Sequence, residues 1–227
     1  MYDPVARENE IMDTLREFAD SGLEFVVVGG YAVSAFRHRF SIDADIVIRK
    51  GGRGKFEQIL HERNYRKTFS TQLENICSSE FVRYENRGLK VNIDLLIGGL
   101  GVRQTGAAFS FEFLWDNSAK KLIEGTDKAV KTHVPSKEIL IVLKLHSGRL
   151  TDLRDVAALS FDLNLNVIRK NLFIGNQSVL KKNMEKLKTL TEKPEFRDSF
   201  KGVFMEKGYR INPNEINKLA RLESSSK

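Results

Sequence analysis

Asp43 and Asp45 stand two residues apart in the stretch Ser41 to Lys50, where Ile42, Ala44, Ile46 and Ile48 alternate with polar positions. That period of two predicts a half-buried strand and projects both carboxylates to the same side. Like charges held so close call for a cation, and oxygen-only ligands favour magnesium or manganese over zinc. Asp94 lies in a second alternating run, Leu89 to Ile97, in which Val91, Ile93, Leu95 and Ile97 share one face while Asn92 and Asp94 share the other. Acids are depleted in strand interiors, so two such strands in one chain need a reason. One aspartate alone would be read as a solvated side chain. The combination differs because Gly29-Gly30 precedes the pair at a spacing that lets a strand end, one short helix form and the chain return. A glycine turn entering a helix lets backbone amides approach a phosphate, although two glycines also suffice for a plain tight turn.

The elements that must position these residues follow from periodicity. Ile11, Met12, Leu15, Phe18 and Ala19 mark an amphipathic helix from Glu8 to Ala19, and Leu23 to Val28 is a buried strand. A short helix is expected from Tyr31 to about Arg37. Lys50 to Gly54 reads as a flexible connector, followed by a helix to about Asn64 and by strands at Tyr65 to Thr71 and Phe81 to Glu85. The glycine-rich stretch Gly98 to Gly106 reads as a loop. Strands at Lys120 to Glu124 and Ala129 to His133 flank the turn Gly125-Thr126-Asp127. After Pro135 helices take over: Ser136 is the expected N-cap of a helix buried through Ile139, Leu140, Val142, Leu143 and Leu145. A second runs from Asp152 to about Leu159, and others reach Leu222, with Pro194 and Pro213 at helix starts and Ser224 to Lys227 frayed. The outline is an α/β core over residues 1–134 and a helical, basic domain over 135–227.

Composition narrows the function classes. No apolar run approaches the length of a membrane span, and the lone Cys77 excludes an internal disulfide framework. The first residues lack the basic-then-apolar pattern of a secretory signal, so a cytoplasmic address and no membrane partner are expected. The net charge of +7 is uneven: residues 160–227 hold 14 basic and 8 acidic side chains, which suits either a solvated helical surface or one that binds a polyanion. The histidines and the cysteine show no zinc spacing, and Gly51 to Lys55 lacks both the spacing and the Ser or Thr of a phosphate loop. Phe69, Phe81, Phe109, Phe111 and Trp115 read as core aromatics rather than as a base-stacking platform.

Phe25-Val-Val-Val-Gly-Gly30, Arg39-Phe-Ser-Ile-Asp-Ala-Asp45 and Val91-Asn-Ile-Asp94 together resemble the nucleotidyltransferase superfamily of the polymerase β type. Glu138-Ile-Leu-Ile-Val-Leu-Lys144, with Arg149-Leu-Thr-Asp152-Leu-Arg-Asp155, is similar to the lysine helix and acidic segment of its AbiEii toxin-like branch. The resemblance spans roughly residues 22 to 160. It implies an α+β fold, a nucleotidyltransferase-type mixed sheet flanked by helices and followed by a helical C-terminal part. It further implies transfer of an NMP from an NTP to an acceptor, which in this superfamily is RNA, protein or a small molecule; tRNA would suit the basic tail, and an antitoxin protein would be a partner. Asp43, Asp45 and Asp94 would be the catalytic metal ligands for Mg2+ or Mn2+, with Asp94 helping to take the acceptor proton. Gly29, Gly30, Arg39, Ser41, Lys144 and Asp155 would contact the nucleotide or its metal shell, Asp152 or Asp155 orienting Lys144. On periodicity alone Lys144 is equally a lysine snorkelling at the edge of the core, and His146 carries little weight. Gly30 departs from the serine common at that turn position. A non-catalytic protein binding nucleic acid or a partner through the same fold is the alternative; a carboxylate-metal nuclease would leave Gly29-Gly30 unexplained.

Overall fold

A computed structural model describes residues 3–72, 80–204 and 209–223. Cys77 and Ser224 to Lys227 lie outside the described residues. The chain divides into two compact units, residues 1–101 with 108–135, and residues 102–107 with 136–227.

The first unit opens with α1 (Pro4–Asp20), whose first turn is capped by the Asp3 side chain accepting the Val5 N–H at 2.9 Å. Ile11, Met12, Leu15 and Phe18 are its buried stripe. There follow β1 (Phe25–Val28), α2 (Gly29–Ser34), β2 (Asp43–Ile48), α3 (Arg53–Glu62), β3 (Arg66–Gln72), β4 (Glu80–Asn86) and β5 (Val91–Ile97). After β6 (Gly99–Val102), β7 (Ala107–Ser110) and α4 (Phe111–Asp116) come β8 (Ser118–Glu124) and β9 (Ala129–Pro135). Seven strands form one sheet in the order β3-β4-β5-β2-β1-β9-β8. It is mixed: β2 pairs parallel with β5 and β1 parallel with β9, while β1 and β2 are antiparallel. Phe18, Phe25 and Phe56 meet edge to face and join α1, β1 and α3 in one core.

Two expectations need correction, and one element was not foreseen. Gly98 to Gly106 is not all loop: it carries β6, which pairs with β7 in a separate two-stranded sheet. Gly98 (φ +89°) and Gly106 (φ +67°) supply the backbone conformations that bend the chain, so the glycines serve a hairpin. The connector at Lys50 to Gly54 is also shorter than expected, because α3 begins at Arg53. α4 had no periodic signal, being six residues long; the Ser110 side chain caps it by accepting the Phe113 N–H at 3.1 Å.

The second unit is helical: α5 (Lys137–Ser147), α6 (Leu150–Ala158), α7 (Leu165–Leu172), α8 (Gln177–Thr191), α9 (Pro194–Lys201) and α10 (Pro213–Ala220). Ser136 caps α5 as expected, and Pro194 and Pro213 open their helices. α5 ends at Gly148 (φ +60°), where a Cβ would also meet the Asn183 side chain at 2.3 Å. Among the described residues, no helix is long and apolar enough to cross a membrane.

Candidate active site

β1 hands over to α2 at Gly29, whose φ of +67° is one that side chains rarely adopt. Space is a second reason for glycine there: a Cβ would fall 2.1 Å from Asp45 Oδ2. Val28 is paired with Asp45 across the β1–β2 ladder, so the carboxylate rests on the turn itself. At Gly30 a Cβ would lie 2.8 Å from Ser41 Oγ and 3.3 Å from Arg39 Cζ. The structure therefore brings Gly29, Gly30, Arg39, Ser41 and Asp45 together.

The segment leading into β2 is pinned by short hydrogen bonds. Ser34 Oγ donates to the Arg39 carbonyl at 2.7 Å, the Tyr31 hydroxyl donates to the Ser41 carbonyl at 2.7 Å, and Ser41 Oγ donates to the Asp43 carbonyl at 3.1 Å. Tyr31 is fully buried, and burial reinforced by the charge of Glu8 lifts its phenol far above the ordinary range, so it remains a donor.

Asp43 and Asp45 are half-buried and alternate with the buried Ala44 and Ile46, as the period of two requires. On the parallel neighbour β5, Asn92 stands opposite Asp43 and Asp94 opposite Asp45. Asn92 Nδ2 donates to Asp43 Oδ1 at 2.7 Å. On β4, Arg83 stands opposite Asp94, and its Nε and Nη2 donate to the two carboxylate oxygens at 2.8 and 2.6 Å. The Asp94 side chain is 3% exposed and that of Arg83 40%. Burial pushes the Asp94 carboxyl above its ordinary range; Arg83 pulls it back only in part, and the charge of Asp43 adds to the rise. The same hydrogen bonds keep the Arg83 guanidinium charged.

Asp45, Asp94, Arg83 and Phe69 thus occupy one row across four strands, Phe69 being the register partner of Arg83 on β3. Phe69 is 51% exposed with its ring 6.0 Å from that of Phe81, so this pair is not core, whereas Phe109 and Phe111 are buried. Trp115 stacks on Phe111 and on His133. Sequence reading passed over Arg83, because alternation places a residue on a face and leaves its cross-strand partner open until the register is known. Asn92 was legible as sharing the face of Asp94.

Carboxylate oxygens are the donors that magnesium and manganese prefer, and a magnesium ion takes only one or two protein carboxylates when substrate phosphates complete its shell. Asp43 and Asp45 fit that requirement. Asp94 as arranged does not, since Arg83 binds both of its oxygens. Among the described residues, no group of three His, Cys, Asp or Glu side chains is placed to hold a metal ion unaided.

In the second unit Lys144 does not protrude from α5. It is 5% exposed, and its Nζ donates to Asp152 Oδ1 at 3.1 Å and Asp155 Oδ2 at 2.6 Å, two acids one turn apart on α6. Ser147 Oγ and Arg149 Nε each donate to Asp152 Oδ2 at 2.6 Å. Burial alone would raise the Asp152 carboxyl, but the charges of Lys144 and Arg149 and these hydrogen bonds hold it at about 2. His146, on the same helix, is fully buried with Nδ1 3.0 Å from Thr105 Oγ1, and burial lowers its imidazole to about 4. On α8, Lys181, Lys182 and Lys188 are exposed, while Lys186 donates to the Gly148 carbonyl at 3.0 Å.

No family model and no curated protein matches the chain. Solved structures similar to it include the lincosamide antibiotic adenylyltransferase LnuA with lincomycin bound, at 18% identity over 69% of this chain and 98% of that one, with a TM-score of 0.48. JHP933 from Helicobacter pylori is 16% identical over 96% of this chain and 90% of its own, TM-score 0.48. ANT(2'')-Ia in complex with adenylyl-2''-tobramycin is 12% identical over 78% and 95%, TM-score 0.47. Likeness at that level assigns this chain no acceptor and none of its site residues.

Proposed function

We propose that this chain is a magnesium-dependent nucleotidyltransferase of the polymerase β type. The observation that carries the reading is the seating of the Asp45 carboxylate on the Gly29 turn, where even a methyl group would strike it. A turn that admits a phosphate and a carboxylate pair that admits a cation are here one place, and a metal-bound triphosphate is the ligand that needs both. In the reaction an acceptor oxygen forms a bond to the α-phosphorus of an NTP, the α–β phosphoanhydride bond breaks and pyrophosphate leaves. Asp43 and Asp45 would hold magnesium, which when bound neutralises charge on the phosphates. Asn92 fixes the Asp43 carboxylate by its hydrogen bond, and Gly29 and Gly30 leave room for the triphosphate. Asp94, in register beside Asp45, has both oxygens taken by Arg83, so the acceptor proton would pass to solvent.

The Lys144 helix and the Arg149-Asp152-Asp155 segment support the finer reading as an AbiEii toxin-like enzyme with an antitoxin partner, and the exposed Lys181, Lys182 and Lys188 support an RNA acceptor such as tRNA. In the structure Lys144 is committed to Asp152 and Asp155, so its part is to hold α5 on α6. The test is incubation with each α-labelled NTP, magnesium and total cellular RNA, protein and small-molecule extract, beside Asp45→Asn. Label in one fraction with the wild type only supports transfer and identifies nucleotide and acceptor. Unlabelled fractions together with no NTP binding would replace the enzyme by a nucleic-acid or partner-binding protein, whose affinity would fall on Lys181→Glu and Lys182→Glu and be indifferent to Asp45.

A further inference from the structure

Resting on the metal reading of Asp43 and Asp45, we infer that Arg83 and a divalent cation exclude each other at Asp94, so that the guanidinium stands where a second ion would otherwise be held. Three observations lead there. The guanidinium takes both carboxylate oxygens through two parallel hydrogen bonds, at 2.8 and 2.6 Å, the fork geometry that makes Arg–carboxylate pairs strong and directional. The Asp94 side chain is 3% exposed, so it has no open side from which to recruit an ion while Arg83 remains. Arg83 itself is 40% exposed and reaches the site from β4, the strand on the far side of β5 from Asp43 and Asp45.

Charge balance points the same way. Without the guanidinium, the buried Asp94 charge would lose the partner that takes both of its oxygens, a state costly enough that a cation should replace it. A chain with this arrangement takes one ion with the nucleotide phosphates at Asp43 and Asp45. The acceptor side of the row is served by Arg83, whose register partner Phe69 continues the row to the sheet edge.

The experiment is titration of Mn2+ alone into the full chain, counting free aquo-ion by electron paramagnetic resonance, with circular dichroism confirming that each variant is folded. Wild type should bind about one Mn2+ per chain, lost in Asp43→Asn. Arg83→Gln should gain a second site, and Asp94→Asn introduced into that variant should remove the gain. Asp94→Asn in the otherwise wild-type chain should leave the count at one, which keeps the inference testable even if Arg83→Gln fails to fold. Two ions on the wild type, a count that falls in Asp94→Asn, or no second site on folded Arg83→Gln would overturn it. Wild type binding no Mn2+ at all would instead defeat the metal reading on which the inference stands.

Discussion

The row on β2, β5 and β4 and the cluster between α5 and α6 hold similar groups and treat them in opposite ways. In the row, one guanidinium takes both oxygens of the buried Asp94, and Asp43 and Asp45 remain half open. In the cluster, two carboxylates face one ammonium with Arg149 and Ser147 on Asp152, and the Asp152 and Lys144 side chains are each 6% exposed. Buried charges that satisfy each other have little left for a ligand and are expensive to disturb. Carboxylates at a half-open position cost less to alter and stay within reach of a cation from solvent. The two regions therefore separate buried charge that holds the fold from half-open charge that a solvent ion can reach.

Lys144→Met should break the comparison most forcefully if it is wrong. With the ammonium gone, Asp155 loses its 2.6 Å donor and Asp152 keeps Arg149 and Ser147 on one oxygen only, and a loss of about 3–5 kcal/mol in urea unfolding is expected. A variant as stable as the wild type but unable to bind NTP would make Lys144 a ligand group and erase the distinction.

Acid should act on the same unit. His146 titrates at about 4 when folded and near 6.5 when free, so between those values the unfolded chain binds more protons. Its contribution is complete above pH 6.5 and disappears as the pH falls toward 4, on the order of 3 kcal/mol in all. Asp152, lowered to about 2 from 3.8, adds a further loss in the same direction below pH 4. Unfolding midpoints measured from pH 7 to pH 4 should slope downward, and His146→Met should flatten the slope; an unchanged slope would show that another group carries it.

Gly29→Ala sharpens the other side. The φ of +67° and the 2.1 Å approach to Asp45 Oδ2 together predict a cost of about 1–3 kcal/mol. Metal binding at Asp45 should be lost with it, read as the Mn2+ count on folded protein. Normal stability and normal Mn2+ binding would mean that the turn and the carboxylate are independent.

What the sequence made legible was whatever has a short period or a local cap. Alternation located Asp43, Asp45 and Asp94, Ser136 announced α5, and the spacing of Gly29-Gly30 to the acids was enough to group them. The fork on Asp94 escaped, because Arg83 meets it across a strand pair whose register the chain does not spell out. Asp152 and Asp155 were legible as candidates to orient Lys144, but its burial between them was not, because the packing of α6 against α5 has no mark in the α5 pattern. The β6–β7 hairpin was hidden by glycines, which weaken the apolar signal that they bend into shape.

Asp43→Asn should move stability least and function most. The side chain is half-buried, it keeps its volume, and an amide oxygen in place of Oδ1 can still accept from Asn92 Nδ2. Removing one of three neighbouring carboxylates also relieves like-charge repulsion, which works against any hydrogen-bond loss, so unfolding should shift by less than about 1 kcal/mol. NMP transfer and Mn2+ binding should nevertheless vanish, because a neutral amide is a poor ligand for a hard divalent cation. If the variant unfolds several kcal/mol earlier instead, Asp43 belongs with the structural charges of the α5–α6 cluster, and the half-open row is no longer a site on the strength of its exposure.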